Sequence, residues 1–182
     1  IWGIWKNQTD IFTYHSKTVV ESTHAYSSSW YTWPLMIRPI WYYSCSFENG
    51  FKAGISAFGN PLVWWFGIAS MIFCIVLAIK NKNKTALFLI IAYAANFLPW
   101  APVTRTTFIY HYFPSVPFVV LMNGYAIYTL AAERAWVKKA AIVYAVCVVV
   151  LFAAFYPVLA GIPVNPTYVT TFLKWLPKWV LI

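Results

Sequence analysis

The stretch that decides the fold is Pro61-Leu62-Val63-Trp64-Trp65-Phe66-Gly67-Ile68-Ala69-Ser70-Met71-Ile72-Phe73-Cys74-Ile75-Val76-Leu77-Ala78-Ile79, which runs straight into Lys80-Asn81-Lys82-Asn83-Lys84. An unbroken apolar run of about 20 residues matches the thickness of a bilayer core, and the alternating lysines mark where it stops. Three further runs follow the same logic: Thr85 to Pro102, Phe108 to Ala132 and Ala140 to Ala160. The second carries Asn96 and Pro99; the third carries His111, Pro114, Pro117 and Asn123; the fourth carries Pro157. The expected fold class is therefore all-α and integral to the membrane, with about four spans (61–79, 85–102, 108–132 and 140–160).

Composition agrees. The chain of 182 residues is 62% hydrophobic and 9% charged, where soluble domains carry about 25% charged residues. A net charge of +9 raises nucleic acid as a partner. The distribution speaks against it, because Lys80, Lys82, Lys84, Arg134, Lys138 and Lys139 are gathered in two short links between apolar runs. That is an orientation signal rather than a basic face. Basic links lie in the cytoplasm, so residues 1–60, the link holding Arg105, and residues 161–182 are expected on the opposite side. Cys45, Cys74 and Cys147 show no paired spacing, which leaves neither a disulfide framework nor a zinc site. The chain opens on Ile1 without a basic segment ahead of a short apolar core, and is read as a piece of a longer protein.

Both outer segments are expected to be ordered. Asn7 to Val20 suits an interfacial helix. Ser27 to Phe58, rich in aromatic residues, Gly and Ser, reads as irregular loop. Thr167 to Ile182 suits a short interfacial helix whose Lys174 and Lys178 reach for water. Ten of the eleven tryptophans (all but Trp136) fall on the outer side of this topology. They form either a structured aromatic surface or a one-sided anchoring belt.

Candidate chemistry is sparse. The acidic residues Asp10, Glu21, Glu48 and Glu133 are far apart, and His15, His24 and His111 have no metal-ligand spacing. No metal or cofactor is expected. Two polar clusters stand out. In the first, Thr104-Arg105-Thr106-Thr107-Phe108-Ile109-Tyr110-His111-Tyr112-Phe113-Pro114-Ser115, a cation and several donors stand near a helix start, where an anion such as a lipid phosphate is favoured. The competing reading is a snorkelling Arg above interfacial tyrosines. The second cluster runs from Ser29 to Tyr43 and holds Trp33, Arg38, Trp41 and Tyr42, which could line a cleft for sugar or acyl chain or simply pack the loop.

At these clusters the chain resembles the C-terminal four-span region of the protein O-mannosyltransferases, polyprenyl-phosphate-mannose-dependent enzymes of the GT-C glycosyltransferase superfamily. The matching pieces are Tyr14-His15-Ser16, Thr23-His24-Ala25-Tyr26-Ser27-Ser28, Trp33-Pro34-Leu35 and Arg38-Pro39-Ile40-Trp41-Tyr42-Tyr43. Further along come Gly59-Asn60-Pro61, Phe97-Leu98-Pro99-Trp100, Arg105, Tyr110-His111-Tyr112-Phe113-Pro114-Ser115 and Tyr156-Pro157-Val158-Leu159. The ordered set covers nearly the whole chain, and the uninterrupted run from Ile1 into the first span looks more like the bacterial members. The resemblance implies transfer of mannose from a polyprenyl-phosphate donor lipid to Ser or Thr hydroxyls of secreted acceptor proteins. It implies a bacterial plasma membrane setting, or the endoplasmic reticulum membrane in a eukaryote. It also implies that the essential acidic residues lie in the N-terminal half of the enzyme, so that this part holds no catalytic residue and is inactive alone. Within that frame Arg105, Tyr110, His111 and Tyr112 are expected at the donor phosphate, and Trp33, Arg38, Trp41 and Tyr42 along the cleft. A transporter or flippase segment, a related lipid-linked-sugar glycosyltransferase and a non-catalytic scaffold are the alternatives; a transporter would place its polar site near the midplane.

Overall fold

The computed structural model describes residues 2–14 and 24–182. Helix α1 spans Trp2–Thr13, ahead of and overlapping the expected Asn7–Val20 helix. The remainder of that expectation, with His15, Glu21 and Thr23, lies outside the described residues.

The bundle has four long helical segments: α2 (Pro61–Lys80), α3 (Lys84–Phe97), α4 (Val116–Glu133) and α5 (Ala135–Ala160). Local chemistry sets their ends. Asn60 caps α2 by accepting from the Leu62 N–H, with Pro61 at the first helical position. Asn83 does the same for α3 through the Ala86 N–H, so the basic link itself carries the helix start. The Tyr125 hydroxyl donates to the same Asn83 side chain at 3.0 Å and fastens α4 to that corner. Gly161, at φ 72°, ends α5 in the left-handed conformation that glycine adopts without a Cβ clash.

Helices α2 and α5, and α4 taken with the 3-10 turns ahead of it (Ile109–Glu133), are long and apolar enough to cross a membrane, whereas α3 with its 3-10 extension, Lys84–Trp100, is shorter. At 1.5 Å per α-helical residue and 2.0 Å per 3-10 residue that extension gives α3 roughly 27 Å, close to a ~30 Å hydrocarbon core. The expected link holding Arg134, Lys138 and Lys139 shrinks to Arg134 alone, because Ala135–Ala160 is one helix. Ala135, Lys138, Lys139, Ala140 and Ala141 are strong helix formers, so the lysines join the first turns of α5.

Packing centres on α2, which lies against α4 and α3. Gly67 permits the close approach: a Cβ there would collide with the Val119 side chain of α4. Asn123 is buried in the same interface and donates to the Val63 carbonyl at 2.9 Å. Helix α5 is bound more loosely, and its residues Ile142, Val143, Val146, Val149 and Val150 remain exposed as an apolar face suited to lipid.

One end of the bundle carries a cap that departs from the sequence reading. The region expected to be irregular contains a β-hairpin, β1 (Ile40–Ser46) paired antiparallel with β2 (Lys52–Ala57), and a bulge between Trp41 and Tyr43. The C-terminal half of α5 runs beside it, with Phe155 edge-on to Phe58 at 5.2 Å. The tail is likewise no continuous interfacial helix. After the short α6 (Pro166–Tyr168) and a π-turn at Val169–Leu173 it becomes irregular and folds under the hairpin. Ser56 donates to the Val180 carbonyl at 2.8 Å, and Gly54 lacks the Cβ that would strike the Leu181 backbone.

The tryptophans bind this cap together. Trp33, Trp64 and Trp179 are buried. The Trp64 indole donates to the Trp33 carbonyl (2.9 Å), Trp65 to Leu35 (3.2 Å) and Trp179 to Met36 (2.8 Å). Three indoles thus hold one turn, in which Met36 sits at φ 55°. The aromatic skew reflects a packed layer, not just an anchoring belt. Trp2 and Trp5 on α1, which buries no residue, remain exposed.

Candidate functional site

A cleft of about 330 Å³ opens at the capped end. Ser27–Tyr31 form one wall; Ala101 and Val103–Thr107 form the other. The floor is a cross-link between these walls. The Ser28 N–H donates to the Thr107 carbonyl at 2.8 Å, and the Thr107 hydroxyl returns to the Ser28 carbonyl at 2.8 Å. Trp33 braces Ser28 from behind, its indole N–H 3.0 Å from the Ser28 hydroxyl and 3.2 Å from its carbonyl. The cleft is lined by Ser27, Ser28, Ser29, Thr104, Thr106 and Thr107 together with Arg105, and no acidic side chain among the described residues lines it. A cation beside serine and threonine side chains suits an oxyanion such as a phosphate ester.

Of the residues expected at a phosphate, Arg105 alone lines this cleft. The reason is local. Ile109–Ser115 is a 3-10 segment, where residues three apart share a face, and Ile109, Tyr112 and Ser115 are the buried set. Tyr112 is 2% exposed and its hydroxyl meets that of Tyr93 at 3.1 Å, with Trp64 and Phe97 against its ring. It is a pillar of the core, not a wall of the cleft. His111 is boxed by Trp100 (4.3 Å between centroids), Tyr110 (4.4 Å) and Trp33 (5.9 Å). Its Nδ1 lies 3.1 Å from the Phe108 nitrogen and 3.0 Å from the Phe108 carbonyl oxygen, so either tautomer ties it to that backbone. Tyr110 is partly exposed and stacks on Phe108.

Of the four residues expected along the cleft, none lines it, though Trp33 bonds to Ser28 of its wall. Tyr26 links two of the others, with the Arg38 guanidinium 6.0 Å from its ring centre and Trp41 edge-on at 6.0 Å. Arg38 Nε and Trp41 Nε1 are both shielded from solvent and find no acceptor among the described residues. Two orphaned donors beside one ring leave an unmet demand for an acceptor. Tyr42 is exposed on the bulge. Partial desolvation, reinforced by Tyr110, raises its hydroxyl above the ordinary tyrosine value, so it stays a neutral donor. Ser27 and Ser28 line the same cleft as Arg105; the run of hydroxyl residues Ser27–Ser29, matched by Thr104, Thr106 and Thr107, is the signal in the sequence.

The midplane offers less room. Asn96 donates to the Ala92 carbonyl of its own helix and Asn123 to Val63. A void between α2, α3 and α4 near Gly67 and Tyr112 holds only about 10 Å³, at the lower limit for one water. The roomy polar space is at the bundle end, which disfavours the transporter reading.

Fold and cleft together define a multi-span membrane protein with a polar opening under an aromatic cap. The model for the C-terminal four-transmembrane region of protein O-mannosyltransferases matches residues 2–179, and the chain belongs to that family. It is 26% identical over 93% of its length to a polyprenol-phosphate-mannose--protein mannosyltransferase of Corynebacterium glutamicum, covering 35% of that protein. The Mycobacterium tuberculosis protein of the same name is 26% identical over 97% of the chain, which covers 37% of it. Dolichyl-phosphate-mannose--protein mannosyltransferase 1 of Saccharomyces cerevisiae is 25% identical over 90% of the chain, which covers 22% of that protein. The fold matches a chain of the S. cerevisiae Pmt1-Pmt2 complex bound to the sugar donor, with TM-score 0.76 and 22% identity across 97% of this chain and 26% of that one. The chain thus spans roughly a third of the length of its bacterial relatives.

Proposed function

We propose that this chain is the membrane part of an enzyme that moves mannose from a polyprenyl phosphate to Ser or Thr hydroxyls of secreted proteins, and that Arg105 and its hydroxyl neighbours hold the donor phosphate. The observation that carries this reading is the cleft itself, where Arg105 stands among serines and threonines and no carboxylate among the described residues lines it. In the transfer, the acceptor oxygen bonds to the mannose C1 as the C1–phosphate oxygen bond breaks. The acceptor proton passes to a base, and the charge left on the polyprenyl phosphate is met by fixed donors. This chain supplies the second role; the base belongs to the remainder of the enzyme.

The same reading assigns the domains. Residues 1–60 and 161–182 are assigned to the non-cytoplasmic side and 61–160 to the spans, with Lys82 and Arg134 at the cytoplasmic end. Arg38, Tyr26 and Trp41 flank the acceptor or donor path, where the orphaned Nε and Nε1 donors await an acceptor.

The test is donor affinity in the full-length protein. Losing hydrogen bonds to a charged group costs about 1.5–3 kcal/mol, so Arg105→Ala should weaken donor binding roughly 10- to 150-fold, and Arg105→Lys less. Unchanged affinity in Arg105→Ala would remove the assignment.

A further inference from the structure

Arg105 stands in a link without regular structure, between the 3-10 turn that ends at Trp100 and the one that begins at Ile109. The link is pinned on either side of it. The Val103 N–H donates to the Trp100 carbonyl at 3.2 Å, and Thr107 exchanges two 2.8 Å bonds with the Ser28 backbone. Arg105 lies midway between Val103 and Thr107. Ser28 is a firm anchor although it lies in a loop. The buried Trp33 indole holds it at both its carbonyl and its hydroxyl, and Trp33 is itself held by Trp64 through a 2.9 Å bond to its carbonyl. Thr107 lines the cleft but is only 8% exposed. Its hydroxyl has one proton and directs it to the Ser28 carbonyl, so it has none to offer a phosphate.

We propose that Thr107 is a positioning residue for Arg105: its hydroxyl, fastened to the opposite wall at Ser28, fixes where the guanidinium meets the donor phosphate. The proposal rests on the reading of the Arg105 cleft as the phosphate site and adds the residue that aims the cation. Fixed donors stabilise charge best when they need not move to meet it, and a misplacement of about 1 Å can cost on the order of 100-fold. Removing the hydroxyl slackens the link without releasing it. The Ser28 carbonyl keeps the Trp33 N–H, the Ser28 N–H keeps the Thr107 carbonyl, and His24 still packs edge-on to Phe108 at 5.0 Å.

The test is titration of polyprenyl-phosphate mannose into the detergent-solubilised full-length enzyme. Thr107→Val, Thr107→Ala and Thr107→Ser are each made with Arg105 intact and in an Arg105→Ala background. With Arg105 intact, the Val and Ala variants should weaken donor binding about 2- to 13-fold, the worth of one neutral hydrogen bond, while Thr107→Ser keeps the hydroxyl and the affinity. In the Arg105→Ala background the same substitutions should cause no further loss, because the group they aim is gone. A packing defect or a direct Thr107–phosphate contact persists without Arg105, so equal losses in the two backgrounds would overturn the proposal. So would a Thr107→Ser loss as large as that of Thr107→Val. Silent Thr107→Val and Thr107→Ala beside a damaging Arg105→Ala would overturn the positioning role and leave the phosphate site standing. A silent Arg105→Ala would remove the phosphate site and the positioning role with it.

Discussion

Replacing Trp179 by Phe isolates the tail's role in holding the cap. Trp179 is fully buried, packs on Phe58 (5.4 Å) and Phe155 (6.0 Å), and donates to the Met36 carbonyl at 2.8 Å. Phenylalanine keeps most of the ring contact but leaves that carbonyl unpaired, at a cost of about 1–3 kcal/mol. The smaller ring also leaves a void of roughly 40 Å³, worth about 1 kcal/mol at ~24 cal/mol per Å³. Together they predict a loss of about 2–4 kcal/mol, or a fall in melting temperature of roughly 4–16 °C at 2–4 °C per kcal/mol. The assay is thermal unfolding of the detergent-solubilised full-length protein, followed by scattering and far-ultraviolet dichroism. The control is Trp136→Phe, because Trp136 is 63% exposed and should shift stability by less than ~0.5 kcal/mol. If Trp179→Phe melts with Trp136→Phe, the tail does not lock the cap and the indole reasoning fails.

Other outcomes follow from the same contacts. Gly67→Val should separate α2 from α4 and lower the melting temperature far more than Gly124→Ala, since a Cβ at Gly124 meets nothing within 4 Å; equal effects would refute the close approach. Asn123→Leu removes the bond to the Val63 carbonyl and should cost about 0.6 kcal/mol and no more than ~1.7, measured by unfolding in detergent. Tyr112→Phe should leave donor affinity unchanged while Arg105→Ala weakens it, because Tyr112 points into the core; donor titration on both variants checks the contrast. With the capped end outside, an impermeant thiol reagent on intact cells should label Ser29→Cys and spare Lys82→Cys.

The spans were readable because crossing a bilayer is a one-dimensional demand on length and hydropathy, and Pro61–Ile79 meets it alone. The hairpin was not. Lys52–Ala57 pairs through small residues of low strand propensity, present there because the tail backbone lies against Gly54 and Ser56. The tail misled for a related reason. Lys174 and Lys178 gave it an amphipathic look, yet Trp179 and Leu181 turn inward to meet partners more than a hundred residues away in sequence. At the site, Arg105 announced itself as a cation amid hydroxyls. Its second wall did not, because Ser28 reaches Thr107 across a separation of 79 residues. Tyr112 is close to Arg105 in sequence, but the three-residue repeat of Ile109–Ser115 carries it into the core.

The central claim is that the donor phosphate sits in the Arg105 cleft at the capped end. A structure of the full-length enzyme with a non-hydrolysable polyprenyl-phosphate mannose addresses it most directly. The account predicts phosphate density within ~3 Å of the Arg105 guanidinium and of at least one lining hydroxyl. Phosphate density away from Arg105, with the cleft open, would contradict it.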